Sequence, residues 1–274
     1  MKLAFSTLAC PRWSIEQVVE NAVRLGYDGI ELRLLDGEVI DPVKDAIKVR
    51  QAIALARDNG IDVCTLDTSC RFNQHDPQVR EAHLTDLFNW IDLAHEQEVP
   101  ILRVFGGAVS KDLSPQPSEE QQNEWMIDAL RRGAERADPA DVIVALETHD
   151  AFSSALRVRT ILQGVNSPSV AALWDSQHPY RVGESVEQIL EALDGHIAHV
   201  HVKDARKPAP GSSVWELVLM GEGDVPVREI LAALKKQNYD GYVSVEWEKK
   251  WHPEIPEPEV ALPQHITWLK SALA

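Results

Sequence analysis

The sequence predicts an α/β fold, a single (β/α)8 barrel spanning residues 1–274. Three observations carry this. Strand-like and helix-like segments alternate from end to end, eight of each. The length of 274 residues is close to the roughly 250 of one such barrel. The first strand is not followed by the Gly-rich turn that usually announces an open doubly wound sheet. Repeated βα units without that turn point to a closed parallel barrel.

The elements follow in order. A strand over 2–7 leads to a helix over 14–25, where Ser14 and Gln17 form a capping box ahead of Val18, Val19 and Val23, and Gly26 ends the helix. A strand over 29–34 leads to a helix over 43–59, opened by Asp41-Pro42 and closed by Gly60. Strands over 62–68 and 101–106 precede helices over 78–97 and 118–137, the latter capped by Ser118 with Gln121. Strands over 142–148 and 170–175 precede helices over 155–163 and 184–193. A strand over 197–203 precedes a helix over 226–237, opened by Asp224-Val225-Pro226. The last pair is 242–247 and 258–273. Tyr27-Asp28-Gly29 and Tyr239-Asp240-Gly241 repeat one pattern before the second and eighth strands and read as tight structural turns. Two irregular tracts, 106–117 and 204–223, follow the fourth and seventh strands, on the face where barrel active sites form.

Composition narrows the function classes. A net charge of −16 argues against a nucleic-acid surface, which needs a basic stripe. No apolar run approaches the ~20 residues of a membrane helix, and the first residues do not resemble a secretory signal. Cys10, Cys64 and Cys70 are odd in number and lack metal-ligand spacing. They read as reduced thiols of a cytoplasmic protein.

The chemistry sits in the second half. Four successive strands each end in a metal-type ligand: Glu147, Asp175, His201 and Glu246. Carboxylates crowded into one mouth cannot all stay ionised unless a cation joins them. Three carboxylates and an imidazole suit a divalent metal, Mn²⁺ first, with Mg²⁺, Co²⁺ or Zn²⁺ as alternatives. His149 shares a strand face with Glu147 and so points at the same cavity, where it reads as a partner of a ligand. His199 lies one layer below His201 and reads as a core histidine. Glu31, Arg33 and Arg103 face inward, either as an ion pair ordering the barrel or as contacts to substrate oxygens. Lys203 is a substrate ligand or a charge partner for the carboxylates. Trp13 lies beyond the first strand and Lys249 within Trp247–Pro253 beyond the eighth, both at the same mouth; Glu222 reads mainly as part of a helix start.

These motifs carry a family resemblance. Gly26–Leu32, Leu146-Glu147-Thr148-His149, Trp174-Asp175-Ser176-Gln177-His178, His199–Asp204, Gly221-Glu222-Gly223 and Ser244-Val245-Glu246 resemble the sugar phosphate isomerase/epimerase superfamily of xylose isomerase-like TIM barrels. That superfamily includes ketose 3-epimerases, hydroxypyruvate isomerase, and inosose and 3-dehydroshikimate dehydratases. The resemblance spans nearly the whole chain. It implies a metal held by Glu147, Asp175, His201 and Glu246. It also implies a reaction in which one of Glu147 and Glu246 removes the proton beside a carbonyl and the other returns it, through a metal-stabilised enediolate. His178 then touches a substrate oxygen.

The expectation is therefore a divalent-metal-dependent sugar or sugar phosphate isomerase/epimerase acting on a small sugar or cyclic polyol, with no nucleic-acid or membrane partner and a homodimer as its expected assembly. The alternative is a dehydratase or lyase using His149 as base. Two further alternatives are an endonuclease IV-like nuclease, disfavoured by the charge and the single-metal ligand set, and a non-enzymatic binding subunit.

Overall fold

The computed structural model describes residues 1–209 and 211–274. Eight strands form the barrel: β1 (Lys2–Ser6), β2 (Gly29–Leu32), β3 (Asp62–Asp67), β4 (Ile101–Phe105), β5 (Ile143–Glu147), β6 (Val170–Asp175), β7 (Ile197–Val202) and β8 (Tyr242–Val245). Each pairs in parallel with its sequence neighbours, and β8 closes on β1 through Lys2–Tyr242 to Phe5–Val245. Eight helices cover the outside: α1 (Ile15–Leu25), α2 (Ala46–Asp58), α3 (Pro77–Glu96), α4 (Glu119–Ala137), α5 (Ala155–Val165), α6 (Val186–Leu193), α7 (Val227–Lys236) and α8 (Pro258–Leu273).

Strand alternation divides the buried residues into two populations. Outward-facing Phe5, Ile30, Leu32, Leu66, Val104, Leu146, Trp174, Val202 and Val245 belong to one large apolar core under the helices. Inside the barrel, Ile101, Ala145 and Leu173 make a separate small apolar plug. Two residues further along these three strands the inward positions are Arg103, Glu147 and Asp175, all buried. The plug is thus the floor of a polar chamber.

Helix starts follow local chemistry. Ser14 and Gln17 close a reciprocal capping box on α1, and Gly26 ends that helix with φ of 76°. Ser118 caps α4 through the Gln121 amide. Several boundaries differ from the sequence expectation. Helix α2 starts at Ala46 instead of 43, because the Asp41 carboxylate accepts from Val43 N and Lys44 N and holds a separate turn. Helix α7 starts at Val227 with no side-chain cap, since Asp224 accepts from Lys207 N. The 29–34 strand is interrupted at Arg33: Leu34–Leu35 pairs antiparallel with Glu38–Val39. A short helix, His178–Arg181, and the Ser185–Gln188 capping box of α6 were not foreseen.

The tract over 204–223 contains a two-stranded antiparallel ribbon, Asp204–Arg206 against Glu216–Val218. One carboxylate anchors it. Asp204 accepts from the backbone N–H of Ala205, Gly221, Gly223 and Val225 at 2.8–3.3 Å. A Cβ on Gly223 would lie 2.1 Å from Asp204 Oδ1, so no larger residue fits that approach.

The loops after β4 and β5 pack through Phe152, which is fully buried. A Cβ on Gly106 would meet its ring at 1.9 Å. Overpacking of this kind typically costs about 1–3 kcal/mol. Gly106→Ala is therefore expected to lower unfolding free energy by about that amount in a denaturant titration; an unchanged midpoint would show that the loop yields freely.

Candidate active site

The polar chamber is built from strand ends. Glu147, Asp175 and His201 are the inward residues closing β5, β6 and β7, and Asp175 pairs in register with His201. Glu246 follows β8 directly, its amide bonded to Val202 O at 3.1 Å. One ligand-type atom from each of these residues lies within 4.8 Å of the others, and all four residues are buried. His201 Nδ1 is 3.1 Å from Glu147 Oε1 and 3.5 Å from Glu246 Oε1. The second oxygen of each glutamate meets a cation. Arg103 Nε is 2.8 Å from Glu147 Oε2, and Lys203 Nζ is 2.5 Å from Glu246 Oε2.

Asp175 is oriented by its own loop. Its Oδ1 accepts from Gln177 N and His178 N, at the start of the short helix, and its N–H is held by Thr148 Oγ1. Its Oδ2, 3.1 Å from Lys203 Nζ, has no hydrogen-bond partner among the described residues, and Glu147 turns Oε1 to His201 Nδ1. A buried unsatisfied carboxylate oxygen grouped with two further carboxylates and an imidazole nitrogen fits a divalent cation.

Below them, Glu31 accepts from both histidines of β7: from His199 Nε2 at one oxygen, and from His201 Nε2 at the other, 3.0 Å away. Asp67, closing β3, is also buried in the chamber and touches Ser6 Oγ at 3.3 Å. Next to the cluster lies a cavity of about 430 Å³ whose lining includes His149, Asp150, Gln177, His178, Trp215 and Glu248. Both ring nitrogens of buried His178 lack a hydrogen-bond partner among the described residues. His149 Nδ1 is 3.1 Å from Asp150 Oδ2, and its ring meets that of His178 edge-on at 4.5 Å. A smaller cavity of about 300 Å³, lined by Lys2, Asp62 and Tyr242 among others, holds none of these residues.

A family model described as a xylose isomerase-like TIM barrel matches residues 19–272. The chain belongs to that family. Among curated proteins, the L-ribulose-5-phosphate 3-epimerase UlaE of Escherichia coli is 25% identical over 267 residues, covering 92% of this chain and 88% of its own. Among solved structures, the IOLI protein with a bound zinc atom superposes with a TM-score of 0.82 at 20% identity, covering 100% of this chain and 98% of that one. D-psicose 3-epimerase from Clostridium cellulolyticum H10, solved with D-tagatose, gives 0.78 at 17% identity, covering 100% and 99%. At those identities the structural likeness establishes the shared fold.

In this xylose isomerase-like barrel, burial and neighbouring charge set the protonation pattern. Burial opposes ionisation of Glu147, but the Arg103 guanidinium outweighs it and brings the carboxyl down to about 2. Burial works likewise against Glu246, which Lys203 and His201 hold well below the usual carboxylate range. Asp175 goes the other way: burial, beyond what Lys203 offsets, lifts it to about 6. Burial and the Lys203 charge keep His178 neutral. For His149, burial is overcome by Glu147 and Asp150, which raise its pKa.

The structure brings together Glu31, Arg103, Glu147, Asp175, His201, Lys203 and Glu246, with His149 and His178 at the cavity. Two expected site residues lie elsewhere. Trp13 Nε1 donates to Glu259 on α8 at 3.0 Å, so the ring packs on the outer helix layer. Lys249 Nζ donates to the carbonyls of Pro253 and Ile255 and pairs with Glu257 at 3.1 Å, which ties its own loop together. Among the described residues Arg33 pairs with neither Glu31 nor another carboxylate; it donates to Asp67 O and Ser69 Oγ. His199 is fully buried, as expected of a core position, yet belongs to the network under His201. Glu222 is an exposed turn residue. Asp67 and Glu248 were missed, although the strand-end rule and the two-residue step from Glu246 could have found them.

Two predictions follow from these charges. Lys203 Nζ contacts Asp175, Glu246 and Glu248, the last at 2.6 Å. Removing one partner of a buried ion group typically costs about 3–5 kcal/mol. Lys203→Met should therefore lower the Tm of metal-free protein, and saturating Mn²⁺ should recover more Tm for the variant than for wild type; an unchanged metal-free Tm would refute it. The second concerns pH. Asp175 sits at about 6 against an ordinary 3.8, so between those values the folded chain holds a proton the unfolded chain has lost. Stability of the metal-free protein through this group falls as pH rises across that window. A cation must displace the same proton, and also one from His201, whose pKa, against burial, Glu31 and Glu246 hold well above the ordinary value. Mn²⁺ affinity measured calorimetrically should therefore be at least tenfold weaker at pH 5 than at pH 7. A flat profile would contradict the assignment.

Proposed function

We propose that this chain is a divalent-metal-dependent ketose epimerase or isomerase that moves the proton on the carbon beside a carbonyl. One observation carries the reading: Glu147 and Glu246 turn one oxygen each to His201 Nδ1 and the other to separate cations, Arg103 and Lys203. Two carboxylates so held are both ionised, so either can accept the proton beside the carbonyl, and the other returns one after taking it up from solvent. Glu147, Asp175, His201 and Glu246 would hold the ion, Mn²⁺ by preference, which when bound polarises a carbonyl and its neighbouring hydroxyl as a Lewis acid.

The remaining side chains bind and orient. Neutral His178 offers one ring nitrogen as donor and one as acceptor to a sugar hydroxyl. Arg103 keeps Glu147 ionised, ready to take a proton, and stays charged itself. Glu248 and Asp150 contribute carboxylates to the cavity lining and Arg181 a guanidinium. That balance favours an uncharged ketose over the 5-phosphate named for UlaE.

A second reading, dehydration of a keto-polyol, draws support from His149. Its ring lines the cavity and is paired with Asp150, which keeps a proton-transfer group beside the carboxylates.

The test is incorporation of solvent deuterium into a panel of free and phosphorylated ketoses and keto-polyols by the Mn²⁺-loaded protein. Exchange beside the carbonyl with inverted product is expected, stronger for free sugars, and lost by about 100-fold or more in Glu147→Gln and Glu246→Gln. A conjugated-enone absorbance that depends on His149 would establish the second reading. No exchange with any of these substrates would defeat both.

A further inference from the structure

The two histidines of β7 and the glutamate of β2 form a unit of their own. Glu31 Oε2 accepts from His201 Nε2 at 3.0 Å, and Glu31 Oε1 accepts from His199 Nε2. All three residues are fully buried. The pairing of β2 with β3 slips between Ile30 and Glu31, so that Glu31 stands opposite Thr65. The extra residue, Cys64, lies on β3; Glu31 faces into the barrel by the ordinary alternation of β2 between outward Ile30 and Leu32. His199 Nδ1 has no hydrogen-bond partner among the described residues. A buried unpaired acceptor is tolerated better than a buried unpaired N–H, so the His199 proton belongs on Nε2, pointing at Glu31.

We propose that Glu31 is a positioning residue that fixes the tautomer and ring orientation of His201, so that Nδ1 is the nitrogen presented to the ion and Nε2 keeps its proton. A carboxylate can accept from two imidazoles at once; a carboxamide accepts at one atom and donates at the other. Glutamine at position 31 would therefore oppose one of the two N–H groups and drive a proton onto a Nδ1, which on His201 blocks the ligand. The same three residues bring ligand-type atoms within 4.8 Å and could be taken for a second metal site. That would require His201 to lose both protons and bridge two ions. A buried hydrogen-bonded clamp accounts for the geometry without it, and it implies one ion per chain. Partners of this kind orient metal-bound imidazoles and raise their basicity.

The inference rests on the metal-binding reading above, and its test reads binding, not turnover. In full-length protein with ¹⁵N-labelled histidine, loaded with ¹¹³Cd²⁺, coupling is expected to His201 Nδ1, with His201 Nε2 still protonated and one ion per chain. Glu31→Gln should weaken Co²⁺ and Mn²⁺ binding by about 10–100-fold and alter the visible Co²⁺ spectrum. Coupling to Nε2, two ions per chain, or unchanged affinity in Glu31→Gln would overturn the proposal. The labelled wild-type protein decides the matter even if Glu31→Gln does not fold. A wild-type chain that takes up none of these ions fails the functional reading as well, whereas an ion bonded through Nε2 fails this inference alone.

Discussion

The barrel mouth is governed by the repulsion among Glu147, Asp175 and Glu246. Two like charges about 4 Å apart repel by roughly 4 kcal/mol at an effective dielectric near 20, and these three carboxylates are buried within a few ångströms of one another. The chain meets that repulsion with two fixed cations, one on either side of the sequence of strands. Arg103 reaches from β4 to Glu147, and Lys203 reaches from the end of β7 to Asp175, Glu246 and Glu248. Asp175 keeps the highest proton affinity of the three because burial and the neighbouring Glu246 and Glu147 outweigh what Lys203 offsets. The chamber thus keeps an excess of carboxylates over its fixed cations, which suits a divalent ion.

The apolar plug under the chamber makes this arrangement possible. Ile101, Ala145 and Leu173 seal the barrel interior two residues before Arg103, Glu147 and Asp175. Because side chains alternate, the same strands that bury Val104, Leu146 and Trp174 against the helices must present their polar residues inward at the next step. Core packing and site placement are therefore one constraint. A one-residue slip of β5 or β6 would expose a core residue and withdraw a ligand together.

Much of this was legible in the sequence, and the reason is periodicity. Alternation placed Glu147, Asp175, His201 and Glu246 at one mouth because each closes a short apolar run. The same rule put Lys203 and Arg103 on the inward face. It did not say whom they would meet. Glu31 read equally well as a partner for arginine, and only the folded barrel shows that it meets the two histidines of β7 instead. Residues on loops were hardest to place. Trp13 and Lys249 follow barrel strands on the correct side, but their polar atoms are claimed by Glu259 and by the carbonyls of Pro253 and Ile255. Sequence distance from a strand end does not encode where a loop turns. The ribbon over 204–223 escaped notice for a related reason: its strands are three residues each, too short for alternation to register.

That ribbon carries a consequence for how such a barrel can diversify. Asp204 ties the first residue of the excursion to Gly221, Gly223 and Val225 at its end, so both ends are fastened to one carboxylate beside β7. Whatever lies between them, including Trp215 at the cavity, is closed off as a cartridge. Its length and side chains can change while β7 and α7 keep their positions, and with them His201 and Lys203. Closing a longer loop costs little, about 0.6 kcal/mol for each doubling. The chemistry at the floor and the selectivity at the mouth are therefore free to evolve on separate schedules.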